Sequence, residues 1–284
     1  MEFSIKRGAA RAQKTACVIV GVHTGRTLGT HAAELDKSSR GALARVVQRG
    51  DLTGKPGETV LLPDVGGIEA ERVLLVGVGK RDGIDAQDYR KLLGKAVDAV
   101  KGAHIRNVVL ALDVAVKERD AAWCLEQQVL AFAAGGYRFT EFKSKPEHNS
   151  LSRVGLLCAD ADLAAARTAL AQARGKVAGI DLLKNLANRP GNACTPTYLA
   201  EQAQALAARH DSLEVNVLER ADMEALGMGA LLSVARGSRQ PPKLITVQYT
   251  GRADGANPVV LVGKGVTFDS GGISLKPGPG MDEM

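Results

Sequence analysis

Three side chains in the last part of the chain have types and spacing that could do chemistry. In VGKGVTFDSGGISLKPG, Lys264 sits between two glycines, Asp269 follows five residues later and Lys276 twelve residues later. The apolar run PVVLV just before it reads as a strand, so Lys264 is expected in a partly buried turn at that strand's end, where desolvation penalises the charged ammonium. A divalent cation relieves the penalty by holding the amine in its neutral, metal-binding form. Asp269 could then bridge two such ions, leaving Lys276 charged to stabilise an oxyanion beside them. A plain structural ion pair between Asp269 and a lysine, with the glycines only shaping turns, accounts for the same residues, and spacing alone leaves both arrangements open.

Other signals are weaker. Gly77-x-Gly79-x-x-x-Gly83 misses the dinucleotide fingerprint by one residue, and the chain has no Gly-x-x-x-x-Gly-Lys-Ser/Thr phosphate loop. The five histidines, His23, His31, His104, His148 and His210, never fall at a metal-ligand spacing. Asp269-Ser270-Gly271-Gly272 has the letters of a trypsin-like nucleophile loop, but that loop belongs on an all-β scaffold. Cys17, Cys124, Cys158 and Cys194 form no Cys-x-x-Cys pair, which argues against a disulfide framework or a cysteine zinc site and for a reducing compartment.

The elements that must position these residues alternate between strand and helix. TACVIVGV (15–22), ETVLLPDV (58–65), RVLLVGVG (72–79), IRNVVLAL (105–112) and LSRVGLLCAD (151–160) read as strands. AQDYRKLLGKAVDAVKG carries apolar residues at helical spacing between RVLLVGVG and IRNVVLAL, which predicts a βαβ unit and a parallel pair. A second helix is expected over 118–135. An alanine-rich segment then predicts a long helix from 161 to about 188, stopped by RPGNACTP, with Thr195 capping a helix that opens at Pro196. LEVNVLE, a short helix after Asp222, and the strands KLITVQYTG and PVVLVGKG complete the pattern.

With 284 residues and 45% apolar content, the chain can build one large or two ordinary domains. Alternation throughout makes it α/β. The N-terminus lacks the apolar core of a signal peptide, and no run is long enough to span a bilayer, so a cytoplasmic protein without membrane partners is expected. The net charge of +6 resides mostly in residues 1–150, with 23 Lys+Arg against 18 Asp+Glu. This permits weak attraction to DNA through phosphate contacts, although no helix-turn-helix or zinc finger accompanies it.

VGKGVTFDSGGISLKP followed by MDEM resembles the metal-binding signature of the cytosolic leucyl aminopeptidases, hexameric two-metal exopeptidases. MEFSIKRG, LDK, RGDLTGKPG and LANRPGNACTPTYLAEQA are similar to the bacterial branch of that family, so the resemblance covers essentially the whole chain. It implies an N-terminal α/β regulatory or assembly domain over 1–160, a connecting helix over 161–190, and the first part of a mixed-sheet α/β metallopeptidase domain over 191–284. It implies two divalent cations, manganese or zinc, with Lys264 and Asp269 as metal ligands and Lys276 as the catalytic lysine. Met284 would line the pocket for the substrate's first side chain, while Asp282 matches no ligand of the family. Peptides with a free N-terminus would be the substrates and a homohexamer the assembly, and some bacterial relatives also bind DNA. The family's next ligand, an aspartate, would fall three residues after Met284, with an Asp-x-Glu-x-Arg segment later still. On that basis the 284-residue chain alone is expected to be inactive, its apolar face exposed from about residue 195 onward; DNA binding or assembly through residues 1–150 is the alternative role.

Overall fold

A computed structural model describes residues 1–146, 150–251, 255 and 257–281. The chain divides into two compact units, Met1–Leu182 and Leu183–Met284.

In the first unit the elements run β1 (Glu2–Lys6), β2 (Cys17–His23), β3 (Thr27–Leu28), α1 (Thr30–Ser38), α2 (Ala42–Arg49), β4 (Thr59–Pro63), β5 (Arg72–Gly79), α3 (Ala86–Gly102), β6 (Asn107–Ala111), α4 (Ala121–Gly136) and β7 (Arg153–Leu157). They form one sheet ordered β1-β7-β6-β2-β5-β4, with β3 pairing β2. All neighbours along that order are parallel except β4, which runs antiparallel to β5.

The unbroken apolar runs in β2 and β5 follow from burial on both faces. Along β2, Val18, Val20 and Val22 pack with Leu35, Leu43 and Val47 of α1 and α2. Cys17 and Ile19 face the other way, among Leu92, Leu93, Val129 and Phe132 of α3 and α4. This alternation is the period-2 geometry of a strand placed between two helical layers. α3 buries Tyr89, Leu92, Leu93, Ala96, Val97 and Val100, one helical stripe. Asp85 caps it by accepting the Asp88 N–H at 2.8 Å, and Asp120 caps α4 by accepting the Trp123 N–H at 2.8 Å.

Two sequence expectations need correction here. β5 and β6 do belong to a βαβ crossover, yet they are not adjacent, because β2 lies between them and pairs with both. Local periodicity reports a strand and its burial but carries no record of which strand lies beside it. The second correction is an addition: MEFSIKRG contributes β1, which pairs in parallel with β7 at the sheet edge from Glu2↔Arg153 to Lys6↔Leu157. Its mixed pattern, with Phe3 buried and Glu2 and Lys6 exposed, is that of an edge strand.

The RGDLTGKPG stretch precedes β4 and is fixed by one carboxylate. Glu58 accepts hydrogen bonds from the Thr53 N–H at 2.7 Å, the Thr53 hydroxyl at 2.8 Å and the Gly54 N–H at 3.0 Å. Burial pushes the Glu58 carboxyl up, but the Thr53 hydroxyl and the backbone N–H groups of Thr53, Gly54 and Lys55 outweigh it and hold it below the ordinary glutamate value. A depressed carboxyl stabilises the fold above its unfolded pKa and loses that contribution as pH falls through the native value. Glu58→Gln is therefore expected to cost about 1–2 kcal/mol at pH 7, and thermal melts of the two proteins should draw together as pH falls below the ordinary glutamate value. A gap that stays unchanged through that acid range would count against the role of charge.

α5 (Leu163–Ala187) occupies the alanine-rich segment and buries Ala166, Ala169, Leu170 and Ala173 in its first half. No helix among the described residues is long and apolar enough to cross a membrane.

The second unit contains the end of α5, then α6 (Pro196–Ala207), β8 (Leu213–Leu218), α7 (Arg220–Ala225), α8 (Gly229–Ala235) and β9 (Leu244–Tyr249). β8 and β9 make an antiparallel pair, Leu213↔Tyr249 to Leu218↔Leu244. Thr195 caps α6 as expected, accepting the Tyr198 N–H at 3.2 Å. The unit's buried apolar side chains among the described residues are Cys194, Ala200, Met223 and Pro242.

The expected strand PVVLVGKG is not found. Residues 257–266 lie outside any strand, and Val259, Leu261 and Val262 are 91%, 93% and 94% exposed. A strand exists only when a neighbour takes up its N–H and C=O groups. Among the described residues none pairs with this run, so its β propensity is unspent.

Candidate active-site segment

Asp269 is the centre of the local geometry. Its Oδ2 accepts a hydrogen bond from Lys276 Nζ at 2.9 Å, and its Oδ1 accepts the Gly271 N–H at 2.6 Å. The Lys276 N–H donates to the Ser270 carbonyl at 2.9 Å, closing a tight loop over 270–276 with a bridge between Gly271 and Leu275. Gly271 has φ +91°, and a Cβ there would stand 2.4 Å from the Ser274 carbonyl oxygen. Only glycine allows both that backbone and that approach. The spacing of seven between Asp269 and Lys276 thus becomes contact through a reversal of the chain.

The hydrogen bond from Lys276 holds the Asp269 carboxyl below the usual aspartate value, helped by the Gly271 N–H and, through charge, by Lys276 and Lys264. Asp269 and Lys276 side chains are 46% and 26% exposed. This is an anionic carboxylate gripped by cations in an open setting.

The three residues are accordingly brought into one electrostatic cluster, but not in the expected surroundings. Lys264 is exposed, so the burial penalty expected for it is not found. The cause is the unpaired PVVLV run, which forms no sheet end to enclose it. Met284 and Asp282 lie outside the described residues. The ion pair between Asp269 and a lysine, one of the two arrangements open from spacing, is present.

Two features escaped the sequence reading. One is the Gly271 N–H on Asp269, for which the paired glycines of DSGG were the signal. The other is the turn at Pro190–Cys194, which stops the preceding helix and also brings Gly191 against the Thr267 carbonyl and the Phe268 Cβ. No group of three His, Cys, Asp or Glu side chains that could hold a metal occurs among the described residues. The cysteines offer no nucleophile: all four are free, and burial raises each thiol, Cys17 to about 12 and Cys124 to about 11.

Comparison with known proteins adds independent findings. Residues 19–146 match the N-terminal domain of the cytosol aminopeptidase family, and residues 181–284 match its catalytic domain. The chain is 47% identical over 288 residues to a probable cytosol aminopeptidase of Methylobacillus flagellatus and 48% identical to one of Thioalkalivibrio sulfidiphilus. Each match covers 100% of this chain and 58% of the relative, so the chain spans little more than half the length of these proteins. Among solved structures, a tomato leucine aminopeptidase mutant superposes with a TM-score of 0.77 at 25% identity, over 95% of this chain and 55% of that one. The bottromycin maturation enzyme BotP, in complex with Mn, gives 0.69 at 29% identity over 93% of this chain and 51% of its own.

Proposed function

Because the chain belongs to the cytosol aminopeptidase family, we propose that the protein is a metal-dependent aminopeptidase that removes N-terminal residues, leucine-like ones preferred, from peptides. The observation that carries this reading is that Lys264, Asp269 and Lys276 lie in the segment matching the family's catalytic domain. The N-terminal unit would serve regulation or assembly, and a cytoplasmic homohexamer is the form proposed for the native protein.

The donor types at the cluster suit manganese or zinc: a lysine nitrogen and a carboxylate. Lys264 would hold one ion and Asp269 would bridge two. They are part of a site rather than a whole one, since a catalytic zinc takes three protein ligands. Bound ions would supply an activated water and polarise the scissile carbonyl.

The chain's own contribution is positional and electrostatic. Gly271 holds Asp269 Oδ1 through its N–H, which fixes the direction in which the carboxylate presents its remaining lone pairs. Lys276, whose Nζ donates to Asp269 Oδ2 at 2.9 Å, would set its side chain beside the carbonyl oxygen on which negative charge gathers.

The test is hydrolysis of leucyl peptides by the protein at its native length. Activity should appear with Mn2+ or Zn2+, vanish with a chelator and return on adding metal. Hydrolysis that survives exhaustive chelation would overturn the metal-dependent reading, and cleavage of N-acetylated peptides would overturn the requirement for a free amine.

A further inference from the structure

We infer that the turn Pro190–Cys194 is a brace for the candidate site and that Gly191 is a positioning residue for Asp269. This rests on the reading of Asp269 as a metal ligand. A Cβ at Gly191 would lie 2.8 Å from the Thr267 carbonyl oxygen and 2.9 Å from the Phe268 Cβ, closer than real Cβ atoms come to anything. The turn therefore lies against the Thr267 carbonyl and the Phe268 Cβ, in the two residues directly before Asp269.

The turn itself is built to hold still. The Ala193 and Cys194 N–H groups both donate to the Pro190 carbonyl at 2.8 Å. On one side the Arg189 guanidinium stacks over the Tyr198 ring of α6, 4.3 Å from its centroid. On the other, Thr195 caps the same helix. Cys194 is 7% exposed, in a unit with few other buried side chains. A turn closed by two backbone hydrogen bonds and one buried side chain is thus set against the segment that carries Asp269, whose own flanks are exposed. A loop supported from one side inherits the position of its support, and displacing a reacting group by about 1 Å can cost 100-fold in rate.

The experiment compares Gly191→Ala with the unsubstituted protein, both at native length, by calorimetric titration with Mn2+ and by amide hydrogen exchange without metal. Gly175→Ala serves as the control, because that position in α5 has open space around it. At unchanged melting temperature, Gly191→Ala should weaken Mn2+ affinity about 10–100-fold, the range typical for residues that orient a ligand. It should also speed exchange at the Gly271 and Lys276 amides and lower kcat more than it changes KM.

Phe268→Gly should restore part of the Mn2+ affinity in the Gly191→Ala background, which a general loss of stability would not allow. Unchanged exchange, or faster exchange with unchanged Mn2+ affinity, overturns the positioning role. Should Gly191→Ala fail to fold, Phe268→Gly alone decides, since it loosens the same contact: weakened Mn2+ binding supports the brace and unchanged binding overturns it. If the unsubstituted protein binds no Mn2+, the metal reading of Asp269 falls, while the exchange comparison still decides whether the turn braces the loop.

Discussion

In the protein at native length, Lys276→Ala is expected to lower kcat by about two to three orders of magnitude, the loss typical of deleting one oxyanion-stabilising donor, with bound metal retained. The expectation follows from what the side chain does in the loop. Its side chain is 26% exposed and its Nζ sits 2.9 Å from Asp269 Oδ2, so its charge is fixed in place by the carboxylate proposed to hold the metals. An ammonium fixed in this way needs no reorganisation when negative charge develops on the carbonyl oxygen, and preorganisation of that kind is where such donors gain their effect. KM should change much less than kcat, because the interaction strengthens only as the transition state forms. Arginine should not rescue the variant fully, since its planar guanidinium differs in size and donor geometry from a compact ammonium. Near-normal kcat in Lys276→Ala with metals bound would remove Lys276 from the mechanism.

Asp269→Ala is expected to lose the metal itself, and activity with it. The substitution deletes the carboxylate on which the charges of Lys276 and Lys264 both act. A divalent cation approaching that spot meets repulsion and one ligand fewer. Asp269→Asn separates the two effects: it keeps the shape and an acceptor oxygen but removes the charge, so a bridging role predicts metal loss there too. Metal content by atomic absorption is the direct measurement, and unchanged stoichiometry in Asp269→Ala would refute the bridging assignment. Melting temperatures should shift little, because the loop is exposed and contributes few buried contacts.

The two variants fail differently by design. One keeps its metals and loses rate; the other loses rate because it has lost its metals. If both retained metal and both lost rate, the Asp269–Lys276 pair would be acting as a single unit apart from the ions.

What the sequence by itself determined was every feature set by local chemistry. β2, β5, α3 and β7 lie where period and composition put them, because side chains repeating every 2 or 3.6 residues must share a face wherever the element ends up. Asp85, Asp120 and Thr195 cap their helices within three residues of their own positions, a contact that needs no distant partner. The candidate site was legible for the same reason: Lys264, Asp269 and Lys276 fall within thirteen residues, with the glycines that turn the chain between them.

Tertiary structure decided what depends on neighbours distant in sequence. β2 came to lie between β5 and β6, and β1 joined β7 across roughly 150 residues, through backbone pairing that leaves no local trace. PVVLV has the composition of a strand and no partner among the described residues, so it lies outside any strand and exposed, and Lys264 with it. The approach of Gly191 to Thr267 and Phe268 belongs to the same class. Propensity is a property of a segment, whereas pairing, burial and close packing are properties of two segments at once, and only the folded chain brings the second one to the first.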